Sequence, residues 1–502
     1  MCLACAMSGD AASHGFFAAE ASIPVRDVAP TGTRLLDSLL HGTAWEGLDL
    51  DFTFATSAEA YGDAYQDDES IQLSGFAPFS AALADVARML LTGQGTGFRS
   101  LAVADFTSLR FTETDAQDAT LRFGFALLPN AVGIVGDFPG PSAAAGDVFL
   151  SSGQPFPEPV WGEFTPAVLA HEIGHALGLK HPFDGTPLMP QAFDGMTWTV
   201  MAYAPAPLVG TPGAPFASGD IWPRSWMLLD IQALQHLYGA NWDFRAGDTV
   251  YRWDAATGEM LVDGVGQGIA GDAEAPHVLQ AIWDGGGRDT YDFTGFHGVR
   301  ASLAAGGWTT LSDTMLAEMN PDAFGSGPPV FAPGNIANAL LPGGDRRALI
   351  EDAIGSAGAD IITGNVLGNR LAGGAGADWL DGAGGADTLV GGLGADTLVG
   401  GSGIDTVTFG GVRVALDLTD PSLNRGDALG DVFIGIERFV LTAGDDYFAD
   451  GATAVSVLGG AGADTLVAGG GGILFDGGAG FDVHGGGKVG HGSGGMMLLR
   501  AE

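Results

Sequence analysis

HEIGHALGLKHP, residues 171–182, holds three histidines at offsets of zero, four and ten, a glutamate directly after the first, and a glycine at 178. Residues four apart share one face of an α-helix, so a helix here aims His171 and His175 the same way. Glu172 sits about 100° further round the axis, beside that face rather than on it. Gly178 tolerates a positive φ, which predicts the end of the helix and a turn that brings His181 back toward the first two rings. Three neutral imidazoles around one point suit a tetrahedral Zn²⁺ with one position left for water. Glu172 can then reach that water without ligating the metal.

The flanking sequence reads as an α+β domain. FTPAVLAHEIGHALGL (164–179) is a helix with Thr165 as cap, Pro166 at its first position and an end near Gly178. MLLDIQALQHLYGAN (227–241) is a second long helix, closed by Gly239. FSAALADVARMLL (79–91) has helical spacing with Ser80 as its N-cap. LDLDFTFAT (48–56), LRFTET (109–114) and ATLRFGFAL (119–127) read as strands, and GDVFLSS (146–152) as another, placed at a sheet edge. DAYQDDES (63–70) reads as a solvated loop, and residues 1–34, rich in small side chains and without periodicity, as a leader or propeptide. Strand signals resume with DTVYRWD (248–254).

From residue 355 the chain repeats in nines: GSAGADIIT, GNVLGNRLA, GGAGADWLD, GAGGADTLV, GGLGADTLV and GGSGIDTVT, unbroken to Thr408. A non-repeating piece (409–440) follows, and the period returns over 441–485. A fixed period marks a repeat architecture, here an all-β parallel β-roll. In the G-G-x-G-x-D-x-U-x unit the glycines turn the chain, the aspartate faces a cation and the apolar U packs between two sheets. The U positions are Ile362, Leu371, Leu380, Leu389, Leu398 and Val407. Resemblance to proteins with this repeat, which wind two units per coil, implies that Asp360 meets Asp378, Asp378 meets Asp396, and Asp387 meets Asp405. Asn369 stands opposite Asp387 in place of a carboxylate, which predicts a weaker site there. In the second block Asp446, Asp464 and Asp482 keep one ladder, whereas Val455 and Ile473 occupy the other, so ions are expected along one side only.

Composition narrows the partners. The 502 residues carry 60 acidic and 20 basic side chains, a formal net charge of −40. That field repels phosphate and argues against nucleic acid, while crowded carboxylates call for cations. The two cysteines, Cys2 and Cys5, lie at the extreme N-terminus and cannot staple the fold. No N-terminal secretory signal is visible, and no apolar run nears the roughly 20 residues of a membrane span.

HEIGHALGLKH resembles the metzincin signature H-E-x-x-H-x-x-G-x-x-H, and TVMAYAP (199–205) resembles the methionine turn of that family, with Met201 at the turn. Together with DIQALQHLYGAN, RAGDTVY and IWDGGGRDTYDF, these segments are similar, in order, to those of the serralysins, secreted bacterial zinc proteases with RTX calcium-binding repeats. The resemblance implies a metzincin-like protease domain over 35–244 and a β-roll with a C-terminal secretion region over 245–502. It implies zinc on His171, His175 and His181, Glu172 as general base, and Tyr203 as a group that stabilises the oxyanion. It implies calcium sites that use Arg245, Gly247, Thr249, Asp284, Gly286, Asp289 and Glu351 besides the repeat aspartates. Zn²⁺ and Ca²⁺ are the implied cofactors, protein or peptide substrates and a type I exporter the implied partners, and a secreted, extracellular monomer the implied state. A different class of reading remains beside it: an idle protease-like domain on a calcium-dependent binding or adhesion protein.

Overall fold

The computed structural model describes residues 24–499 except 67, 96–97, 205–221, 269–276, 320–328, 452–454, 469–472, 486 and 489–496. Cys2, Cys5 and most of the C-terminal tail lie outside the described residues. The first strand, β1 (Val25–Asp27), pairs antiparallel with β2 (Thr43–Trp45), with the short helix α1 (Arg34–Asp37) between them. The Arg26 guanidinium donates to the Leu237 carbonyl, 211 residues later in the chain. The last ten or so residues of the stretch read as leader therefore belong to the fold. Three strand residues are too few to show a period, which is why sequence pattern missed them.

A six-stranded sheet follows, made of β3 (Asp49–Phe54), β4 (Gln72–Ala77), β5 (Arg110–Glu113), β6 (Leu121–Leu127), β7 (Gly133–Val135) and β8 (Asp147–Ser151). Its order is β5-β3-β6-β8-β7, with β4 also paired to β6. GDVFLSS is thus not an edge: β8 lies between β6, to which it is parallel, and β7, to which it is antiparallel. Every residue of β8 is buried, as an interior strand requires. The edge is β7.

Helices α2 (Ala81–Thr92), α3 (Val103–Phe106), α4 (Phe164–Ala176) and α5 (Leu228–Tyr238) pack with this sheet in one core. Ser80 caps α2 by accepting from Leu83 N, and Gly93 closes it with φ 70°. Helix α4 starts earlier than its sequence suggests. Glu163 is the residue before it, and the Thr165 hydroxyl, already inside the first turn, donates to Pro157 O instead of capping. From Thr165 to Ala176 every residue of α4 is buried, so it runs through the domain rather than over it.

The second half is a roll. Leu371 pairs with Leu389, and Leu380 with Leu398, each 18 residues on, in two separate parallel sheets. The six U residues from Ile362 to Val407 are all fully buried between those sheets. The 409–440 piece does not interrupt the roll. Val432–Ile434 pairs with Thr397–Val399 and Arg438–Val440 with Thr406–Thr408, while Ala415–Asp417 starts a third parallel sheet with Tyr447–Ala449. Nor do the two cores divide at residue 244. Leu279, Ala281, Trp283, Ala337 and Ala339, from the three-stranded sheet after it and its flanks, pack into the first core. An apolar sheet face has to be covered, and the nearest apolar surface belongs to the preceding domain.

Candidate metal centre and active site

Helix α4 delivers His171 and His175 one turn apart, and Gly178, at φ 101°, ends it. The turn brings His181 into contact with both. The three Nε2 atoms lie 3.1 Å (His171–His181), 3.2 Å (His171–His175) and 3.1 Å (His175–His181) apart. Each ring is held from behind. Nδ1–H of His171 donates to Val200 O at 2.8 Å, that of His175 to Leu179 O at 2.7 Å, and that of His181 to Asp184 Oδ2 at 2.6 Å. These bonds fix the tautomer, so three Nε2 lone pairs point at one another. Burial, then the neighbouring His181 ring, holds His171 and His175 well below the usual imidazole range, keeping them neutral. Tetrahedral zinc at about 2.0–2.1 Å from each nitrogen would separate them by about 3.3 Å, so the donor set fits the metal. These are the three side chains among the described residues that converge as a metal cluster.

The support beneath is built by the second helix. Asp230 of α5 accepts from Thr199 Oγ1 at 2.5 Å, Val200 N at 2.8 Å and Met227 N at 3.0 Å. It thereby holds the turn whose Val200 carbonyl orients His171. Met201, fully buried, lies under the helix, and a Cβ on Gly174 would come within 2.5 Å of its Sδ. Tyr203 sits beside the triad, with ring centroids 4.7 Å from His181 and 5.7 Å from His171. Phe183 stacks on the His181 ring at 4.9 Å. Glu172 is buried on the flank of α4 that faces β7, its carboxyl against the backbone of Gly133. Asp184, Asp230 and Gly133 were not singled out in the sequence. Only Asp184 carried a local signal, a carboxylate three residues after the last histidine.

In the roll, Asp378, Asp396, Asp405, Asp464 and Asp482 each accept from the backbone of the repeat aspartate 18 residues earlier. Asp360 N donates to Asp378, Asp378 N to Asp396, Asp387 N to Asp405, Asp446 N to Asp464 and Asp464 N to Asp482. The second oxygens of Asp378, Asp387, Asp396, Asp405 and Asp464 are buried without a hydrogen-bond donor among the described residues. A row of buried anionic oxygens with no donor is what a calcium ladder presents. Burial pushes Asp378 up to about 6 and Asp387 and Asp464 up to about 7. Asp360 and Asp446 differ. Ser356 and Thr442 supply amide and hydroxyl donors to them, so the first rung of each ladder is already satisfied by protein. At Asn369 the amide donates to Glu351 O at 2.7 Å, an N–H in the place of a cation. Val455 and Ile473 pair in register on the other side of the second block.

Two ladder members lay unnoticed in 409–440: Asp396 N donates to Asp431 Oδ1 and Asp405 N to Glu437 Oε2, both at 2.9 Å. Their signal was readable as D-V-F-I and E-R-F-V, an acid followed two residues on by a large apolar side chain.

The loop residues ahead of the repeats also converge. Thr249 N donates to Asp289 Oδ1 and Asp289 N to Glu351 Oε2, while Gly286 N and Tyr251 OH both donate to Asp284. Asp289 Oδ2 is buried with no donor facing it among the described residues, and burial, then the Asp284 charge, raises the Asp289 carboxyl. Gly247 O accepts from Thr249 Oγ1. Arg245 adopts φ 50° and donates to Tyr251 OH, so its guanidinium braces the loop.

A Met-zincin family model matches residues 153–240, a model of the peptidase M10 serralysin C terminus matches 240–311, and the RTX calcium-binding nonapeptide repeat matches 368–407 and 441–472. The chain is 31% identical to metalloprotease AprA of Pseudomonas entomophila over 353 residues, 66% of this chain and 63% of the relative. It is 34% identical to serralysin G of Dickeya chrysanthemi over 315 residues, 59% of this chain and 56% of the relative. Metallopeptidase AprA of Pseudomonas marginalis is 30% identical over 344 residues, 64% of this chain and 61% of the relative. The chain thus spans about three fifths of the length of the curated relatives it matches. Zinc-helix, C-terminal and repeat matches follow one another in the order in which the structure places the histidine triad, the loop carboxylates and the aspartate ladders, and in that order the chain is similar to the serralysin-type metzincins that carry RTX repeats.

Proposed function

We propose that this protein is a zinc endopeptidase that hydrolyses peptide bonds in proteins. The observation that carries the reading is the set of three Nε2 atoms 3.1–3.2 Å apart with Glu172 on the adjoining flank of the same helix. His171, His175 and His181 would hold the zinc, which when bound supplies Lewis acidity that brings water's pKa near neutrality and polarises a carbonyl. Glu172 takes the proton of the attacking water on its carboxylate and returns it to the leaving amine. The Tyr203 hydroxyl stabilises the charge that develops on the carbonyl oxygen. The substrate lies extended along β7, the free edge beside Glu172, by strand addition. Nothing in the triad, Glu172 or Tyr203 is missing, so no observation favours the idle alternative.

In this reading residues 24–244 hold the catalytic core and 245–499 the calcium-binding part. Calcium would be held by Asp378, Asp387, Asp396, Asp405, Asp431, Asp464 and Asp482 along the ladders. Asp284, Asp289 and Glu351, with the Gly247–Thr249 backbone, would hold it in the loops. Asp360 and Asp446, satisfied by protein donors, contribute less. The protein acts outside the cell, where calcium is plentiful enough to fold the roll after passage through a type I exporter, and it acts as a monomer. Among the described residues no helix is long and apolar enough to cross a membrane.

The test is a casein-cleavage assay on the full chain and on Glu172→Ala, with zinc counted in both. Zinc stays at one per chain in both proteins, and the variant loses activity by about 10²–10⁴-fold. Equal proteolysis by both overturns the mechanism.

A further inference from the structure

The edge strand carries a residue chosen for what it lacks. A Cβ built on Gly133 would stand 2.7 Å from Glu172 Oε1, 2.8 Å from its Cγ and 3.0 Å from its Cδ. Gly133 is not among the glycines with positive φ, so its backbone would accept any residue. The space would not, and glycine inside a strand marks such a close approach. Pairing parity adds a second role. Val132 O accepts from Ser151 N and Gly136 N donates to Asp147 O, both at 2.8 Å, while Gly133 lies opposite Leu150. Antiparallel pairs alternate between bonded and non-bonded, so the N–H and C=O of Gly133 face away from β8, toward the free edge.

We propose that Gly133 is a positioning residue for the reaction. Its bare Cα lets the Glu172 carboxyl lie against the edge strand at the point where that strand's free N–H and C=O would meet an extended peptide. The inference rests on the peptidase reading above. A methyl group at 133 meets the end of a flexible side chain, not backbone, so it displaces the carboxyl and leaves the triad and the sheet in place.

The experiment compares the full chain with Gly133→Ala, Glu172→Asp, the Gly133→Ala/Glu172→Asp double variant and Glu172→Ala. Zinc per chain, melting temperature, and kcat and KM on one quenched peptide substrate are measured for each. Gly133→Ala keeps its zinc, melts within a few degrees of the parent and holds KM within about twofold, while kcat falls about 10- to 100-fold. Glu172→Asp, one methylene shorter, is less damaging in the Gly133→Ala background than in the parent, because the two changes act on one distance. Parental kcat in Gly133→Ala, strictly additive losses in the double variant, or loss of zinc or of thermal stability in Gly133→Ala each overturn the proposal. Activity retained in Glu172→Ala sinks the peptidase reading instead, which separates the two failures.

Discussion

Asp230 is the buried carboxylate on which the metal centre leans. It takes three hydrogen bonds, one of them from the Val200 amide whose own carbonyl holds His171, and burial pushes its carboxyl up to about 7. Asp230→Asn keeps the size but removes one acceptor oxygen and the charge, leaving at least one of those donors without its partner. We expect zinc affinity to drop about 10- to 100-fold, measured by competition with a chelator, with the overall fold retained. Unchanged affinity would mean that the turn is held by packing on Met201 alone. The histidine offsets were legible at this scale because ligand geometry is local. Asp230 was not, since its two partners in the turn, Thr199 and Val200, lie about 30 residues away and nothing in DIQALQ announces them.

The termination of α4 decides whether the third histidine arrives. Gly178 sits at φ 101°, and a Cβ there would lie 2.7 Å from the Thr43 carbonyl of β2. Gly178→Ala therefore meets both a left-handed backbone and a hard contact, a strain of at least about 1–2 kcal/mol. The expected result is a lower melting temperature and less than one zinc per chain after dialysis, read by metal analysis. Full zinc occupancy would show that the turn can reach His181 by another path. The helix itself was readable from its apolar spacing and histidine offsets. Its first residue and the identity of the edge strand were not, because β7 and β8 are both short apolar runs and only pairing tells edge from interior.

Across the whole molecule the net charge of −40 and the aspartate ladders set the response to pH and calcium. Without calcium, burial raises Asp378 to about 6 and Asp387, Asp431 and Asp464 to about 7, from an ordinary value of 3.8. A folded carboxyl with a raised pKa binds protons that the unfolded chain has released. Its contribution is complete below about pH 4 and is lost as pH rises through 6 to 7. In a chelator the roll is therefore expected to melt at a higher temperature near pH 5 than near pH 8. Millimolar calcium, which needs the ionised carboxylates, reverses that order. Circular dichroism melts of the full chain in the four conditions check it. A calcium-free roll more stable at about pH 8 contradicts the ladder as drawn.

The sequence alone determined the three histidines that converge, the helix that carries two of them, the nine-residue period and the aspartate ladders, because each is a local or strictly periodic constraint. Tertiary structure decided that β7 rather than β8 is the free edge, that residues from 25 onward join the first domain, and that the segment around 279–339 completes its core. It also placed Asp431 and Glu437 in the ladders across the interruption. Those outcomes depend on which apolar faces meet and which backbone groups pair over long separations, and a one-dimensional pattern carries no record of that competition.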